Sequence, residues 1–225
     1  MSNSRVITAF AAPFFVFMLW LMIAQGVAGL GRPEFLLSHP QYWIFPLQTL
    51  VCGALLIRYW GDYRLEAPKK VFFTLGIAVL VLGIWISPQA LLGMPPRTEG
   101  FDPMVFPPGS PLYWSTLILR FARLVVVVPL LEEVFWRGFL LRSLIREDFE
   151  SIPFGAFSWA SFLGVAFCFG LAHWGPDFPA ALITGALYNW VAIRTRSLSS
   201  CVLAHATTNL LLGGYIMQTR QWGFW

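Results

Sequence analysis

The chain has 225 residues, 57% of them hydrophobic and 12% charged, with a formal net charge of +4. A soluble domain carries about 25% charged residues, so this composition excludes an ordinary soluble domain. The small positive excess suits basic loops beside a membrane better than a nucleic-acid surface. Apolar residues come in long blocks without the alternating segments of a β-barrel. That leaves an all-α polytopic transmembrane bundle, because helices satisfy their own backbone polar groups in lipid. One membrane domain, residues 1–225, accounts for the whole length.

After a short Met1–Arg5 leader, the first span is expected from Val6 to Leu30. Gly26-Val27-Ala28 offers a signal-peptide alternative, but the apolar run is longer than an h-region of about 7–15 residues, so a retained helix is favoured. Arg32-Pro33 and His39-Pro40 break the chain into a loop. The second span is expected over Tyr42–Tyr59 and the third over Val71–Leu92, separated by a charged loop with Arg64, Lys69 and Lys70. Residues 93–111 are rich in proline and glycine, and read as a rigid loop outside the membrane or as a lid over a site.

Residues 112–146 are too long for one perpendicular helix at about 1.5 Å per residue. They divide into an interfacial helix, Leu112–Arg123, and a fourth span, Leu124–Leu144, in which Pro129 should loosen the turn before Glu132. The fifth span is expected over Phe154–Trp174, the sixth over Phe178–Ile193 and the seventh over Leu198–Met217. An eighth would follow if Leu112–Val128 crossed alone. With seven spans, one side receives Arg5, Arg58, Arg64, Lys69, Lys70, Arg142, Arg146, Arg194 and Arg196. The other receives Arg32, Arg97 and Arg220, which puts the N-terminus in the cytoplasm.

The fourth span contains Glu132, Glu133 and Arg137. Each costs roughly 2.5–3.5 kcal/mol at the bilayer centre unless it pairs or faces a wet cavity. Glu133 and Arg137, four residues apart with the carboxylate first, fit an intrahelical pair. Glu132 points about 100° away and is the freer carboxylate. Phe169 and His173 share a face of the fifth span, and His205 and Asn209 share a face of the seventh. Taken singly, each histidine is a packing residue or an interhelical hydrogen-bond partner. Taken together, three spans supplying acid, imidazole and amide point to one site. A carboxylate with an imidazole can deprotonate water, and an imidazole with a carboxamide can donate to an oxyanion. The same Glu132, His173 and His205 could instead ligate Zn²⁺, and spacing does not separate the two. Cys52, Cys168 and Cys201 lie inside expected spans and read as small buried hydrophobes.

In order, Glu132-Glu133-Val134-Phe135-Trp136-Arg137, then Phe169-Gly170-Leu171-Ala172-His173, then His205-Ala206-Thr207-Thr208-Asn209 resemble the EExxxR, FxxxH and HxxxN motifs of the CAAX prenyl endopeptidase type II family. This is also called the CPBP or Abi family of intramembrane proteases. The resemblance covers about residues 124–217. It implies an endopeptidase acting on a membrane-associated or C-terminal-tail peptide or protein. Glu132 and His173 would activate water, His205 and Asn209 would stabilise the oxyanion, and Glu133, Arg137 and Phe169 would support them. The family is described both as a metalloprotease, with Zn²⁺, and as a metal-free glutamate protease. The compact size resembles bacterial members, which implies the bacterial inner membrane and leaves prenylated substrates an open matter. The competing readings are a non-enzymatic scaffold or bacteriocin-immunity protein, a proton-coupled transporter, and a protease with Cys201 as nucleophile beside His205.

Overall fold

The computed structural model describes residues 3–31 and 33–225; Met1 and Ser2 of the expected leader, and Arg32 of the first loop, lie outside the described residues. Among the described residues there is no strand, and seven helices of 14 residues or more carry the architecture. These are α1 (Asn3–Ala28), α2 (Gln41–Arg58), α3 (Val71–Ala90), α4 (Pro111–Ser143), α5 (Trp159–Ala172), α6 (Phe178–Thr195) and α7 (Leu198–Thr219). Serines start three of them. Ser110, Ser158 and Ser197 accept from the backbone N–H three residues on, satisfying donors that the first turn leaves open.

Two prolines inside the helices are compensated by side chains. Pro13 has no N–H to give to the carbonyl of Ala9, and the Tyr63 hydroxyl donates there at 2.8 Å. Pro88 likewise frees the carbonyl of Ile84, which accepts from Ser87 Oγ at 2.9 Å. A polar group left bare in an apolar helix costs several kcal/mol, so these two hydroxyls let α1 and α3 run on past a breaker.

Among the described residues, three helices are long and apolar enough to cross a membrane: Ser4–Ala28, Val71–Ala90 and Pro111–Ser143. Helices α2, α6 and α7 reach 18, 18 and 22 residues, but polar side chains such as Gln48, Thr184, Asn189, His205 and Asn209 lower their hydropathy. Two expectations need correction. The fifth span, expected over Phe154–Trp174, is a helix only over Trp159–Ala172, where Ser158 caps its start. Its 14 residues cover about 21 Å, short of a hydrocarbon core of about 30 Å. The expected division at Arg123 is absent, since α4 runs through it for 33 residues.

What stands at that point is a change of helical pitch. Residues 123–127 and 134–140 are π-helical, and Glu132 and Glu133 lie on the α-helical turn between them. Pro129 sits just after the first wide turn, where the ladder is already opened, so the helix continues instead of breaking.

Helix α4 is the centre of the fold. Its first half packs on α2 and α7, and its second half packs on α1 and α5. The core joins Phe10 and Phe14 of α1 to Leu131, Phe135 and Trp136 of α4, Phe169 of α5, Tyr188 of α6 and Ala204 of α7. Phe14 and Phe135 stack with centroids 4.1 Å apart.

Candidate active site

Helix α4 brings its two carboxylates to different places. Glu133 is fully buried, and its Oε1 accepts from Arg137 Nη1 at 3.0 Å, the i,i+4 pair that the spacing predicts. His205 Nδ1 lies 2.9 Å from the same oxygen. An ionised carboxylate only accepts, so Nδ1 carries a proton. The ring then presents Nε2 to the cavity that His205 lines.

The remaining guanidinium donors of Arg137 cross to α6. Nε donates to Asn189 Oδ1 at 3.1 Å and Nη2 to the Gly185 carbonyl at 3.0 Å. The Phe169 and Tyr188 rings face the Arg137 guanidinium at 5.0 and 5.4 Å. Arg137 is thus fully buried with a hydrogen bond at each guanidinium nitrogen and a carboxylate partner, which is how such a group persists in an apolar interior.

Glu132, one residue earlier, faces a cavity of ≈ 290 Å³ between the helices. Its Oε2 finds no hydrogen-bond partner among the described residues, although the side chain is 6% exposed. The cavity wall brings together Glu132, Phe169, His173, His205 and Asn209. Glu133 and Arg137 are not part of that wall.

His173 follows the last residue of α5. Its Nδ1 lies 2.9 Å from the Phe169 carbonyl. A carbonyl can only accept, so Nδ1 holds the proton and Nε2 is left with a free lone pair. The ring rests edge-on against Trp85, at 5.9 Å, and tilts over Phe169 at 4.7 Å. Asn209 Nδ2 donates to the Leu124 carbonyl at 2.9 Å and retains a second hydrogen. His205 Nε2 donates to an oxyanion only in the imidazolium form.

Among the described residues no three His, Cys, Asp or Glu side chains gather closely enough to hold a metal ion. The alternative set Glu132, His173 and His205 therefore does not fit a zinc site as arranged here. Cys201 lies outside the cavity wall, with Sγ 3.5 Å from the Ser197 carbonyl, which gives the cysteine-nucleophile alternative no support.

Helix α6 was absent from the sequence-based site. Tyr188 lines the cavity, lies tilted against His205 with ring centroids 5.3 Å apart and donates to Thr208 Oγ1 at 2.8 Å. Gly185 and Asn189 hold Arg137. The available signal was the adjacent polar pair Tyr188-Asn189 inside an apolar helix.

Residues 114–211 match the family model described as Rce1-like, type II CAAX prenyl endopeptidase. That region, under half of the chain, is similar to the Rce1-like family. It begins in α4 and ends in α7, so the matched region contains Glu132, Phe169, His173, His205 and Asn209 together with the Arg137 network. No curated protein and no solved structure matches the chain.

Proposed function

We propose that the chain is an integral membrane endopeptidase that hydrolyses a peptide bond of a membrane-associated substrate. The observation that carries this reading is an unpartnered carboxylate, Glu132, sharing a cavity with an imidazole whose Nε2 lone pair is free. Such a pair can orient a water and take its proton as the oxygen attacks the carbonyl carbon. Glu132 then passes that proton to the leaving amine. The charge that develops on the carbonyl oxygen meets the second Asn209 N–H and the His205 imidazolium. Glu133 and Arg137 act from outside the cavity by fixing the His205 ring, and Phe169, in the cavity wall, fixes the His173 ring through its carbonyl.

On this reading the helices form a bundle of seven spans with a cytoplasmic N-terminus, in a bacterial inner membrane. The cavity reaches Asp177, Phe224 and Trp225, and Asp177 pairs with Arg97 on the side that carries few basic residues. The site therefore faces outward. The test is cleavage of an N-acylated peptide library by the purified chain, with products read by mass spectrometry. Glu132→Gln is expected to lower turnover by about 10²–10⁴-fold while the protein stays folded. Unchanged turnover would remove the reading and favour a scaffold whose polar network is structural.

A further inference from the structure

Arg120 and Arg123 stand one turn apart on α4 and line the same cavity as Glu132. Arg120 is 3% exposed, and its Nε and Nη1 find no hydrogen-bond partner among the described residues. Its guanidinium sits among aromatic rings, 5.2 Å from Phe45, 4.8 Å from Phe101 and 5.2 Å from Trp225. Arg123 is 7% exposed, donates from Nε to Gln48 Oε1 at 2.8 Å, and faces Phe17 and Phe45.

Neither arginine has a carboxylate within ion-pair distance among the described residues. This is unlike Arg137, which has a carboxylate partner and a hydrogen bond at each guanidinium nitrogen. Ring faces attract a guanidinium but leave its N–H groups without acceptors. Among the Asp and Glu side chains of the cavity wall, Asp177 is held by Arg97, which leaves Glu132 for the two arginines. Over Arg120, Arg123 and Glu132, one positive charge is in excess. A buried charge without a partner is strongly unfavourable, and the compensation open to it here is an anion that enters the cavity. The second large cavity, lined by Arg64, Arg142 and Arg196, differs because Asp62, Glu66 and Glu150 balance it.

We propose that Arg120 and Arg123 form a monoanion subsite that holds a carboxylate of the peptide substrate in the cavity of Glu132. This rests on the endopeptidase reading for the nature of the ligand, but the subsite has its own readout. The planar guanidinium of Arg120 offers a carboxylate two parallel N–H groups, and the aromatic walls exclude the water that would compete. The carboxylate fixes the peptide along α4, so these arginines are specificity residues and take no part in proton transfer.

The test is binding to the purified full chain in lipid nanodiscs, read by tryptophan fluorescence. The probes are N-octanoyl-Leu-Leu as its free acid and as its C-terminal amide. The acid is expected to bind at least about tenfold more tightly, the ratio given by one charged hydrogen-bonded contact. That ratio falls towards one in Arg120→Gln and in Arg123→Gln, and persists in Glu132→Gln. If Arg120→Gln does not fold, the wild-type ratio and Arg123→Gln decide alone. Equal binding of acid and amide to the wild type overturns the subsite, as does a preference that survives both arginine substitutions. Displacement of the acid by dioctanoyl phosphatidic acid, bound more tightly and through the same arginines, overturns the peptide carboxylate in favour of a lipid phosphate. Loss of the proteolytic reading shows separately, as an intact acid preference with no cleavage of any library peptide.

Discussion

Arg137 holds together three helices through one side chain. It pairs with Glu133 on its own helix, reaches Asn189 and Gly185 on α6, and lies over Phe169 of α5. Removing it leaves the fully buried Glu133 carboxylate without its cation and held by His205, while its Oε2 already lacks a partner among the described residues. Breaking a buried pair on one side costs about 3–5 kcal/mol. Arg137→Met is therefore expected to lower the thermal unfolding midpoint in detergent sharply, and Glu133→Gln in the same chain to restore part of the loss. A double substitution no better than the single would show that Arg137 acts by packing alone. The Glu133–Arg137 pair was legible in the sequence because it is local, four residues on one helix. The attachment of His205 to Glu133 was not, because 72 residues separate them and only the packing of α7 on α4 joins them.

At the scale of elements, α4 and α6 decide the site. The two π-helical segments of α4 flank the turn that carries Glu132 and Glu133. Each shifts the register of side chains around the axis, and such bulges concentrate at functional positions. The sequence announced a disturbance through Pro129, yet placed a break where the chain instead widens its turn. Helix α6 packs on α5 at Gly185. A Cβ there would meet Ala166 Cα at 3.0 Å and Phe169 Cβ at 3.1 Å. Both are too close for backbone or a packed ring to yield cheaply. Gly185→Ala is expected to push α6 off α5 and draw the Gly185 carbonyl away from Arg137. Overpacking of this kind costs about 1–3 kcal/mol. The unfolding midpoint should fall and cleavage should weaken together, whereas substitution at the exposed neighbour Ile183 should change neither; a stable and active Gly185→Ala would refute the close packing.

Across the whole molecule, charged loops sort to two ends. Arg5 pairs with Asp62, and Asp62, Arg64, Arg142, Glu150 and Arg196 surround one cavity. At the opposite end Arg97 pairs with Asp177, and the Arg97 backbone bonds to Gln221 and Gly223. The loop before α4 and the tail after α7 approach so closely that a Cβ at Gly100 would lie 2.3 Å from the Trp222 carbonyl. That loop, read from its prolines as a spacer or a lid, packs on the tail, and the tail lines the cavity. If the basic end is cytoplasmic, a single cysteine at Glu150 should react with an impermeant maleimide only after the cells are opened. One at Glu99 should react in intact cells, in a chain whose Cys52, Cys168 and Cys201 are replaced. The reverse pattern would invert the orientation and turn the site towards the cytoplasm.

The helical class, the polar set at depth and the local Glu133–Arg137 pair are one-dimensional properties. They follow from hydropathy and from the 3.6-residue period, and so can be read along the chain. Which carboxylate faces the cavity, where His205 is anchored and what Arg120 lacks depend on contacts between helices. Those contacts come from side-chain packing, such as Gly185 against Ala166 or Phe14 on Phe135, which leaves no periodic signature. The length of α5 is of the same kind. An apolar stretch names a segment fit for a membrane, but the Ser158 cap and the His173 contact with Phe169 mark where the helix begins and ends.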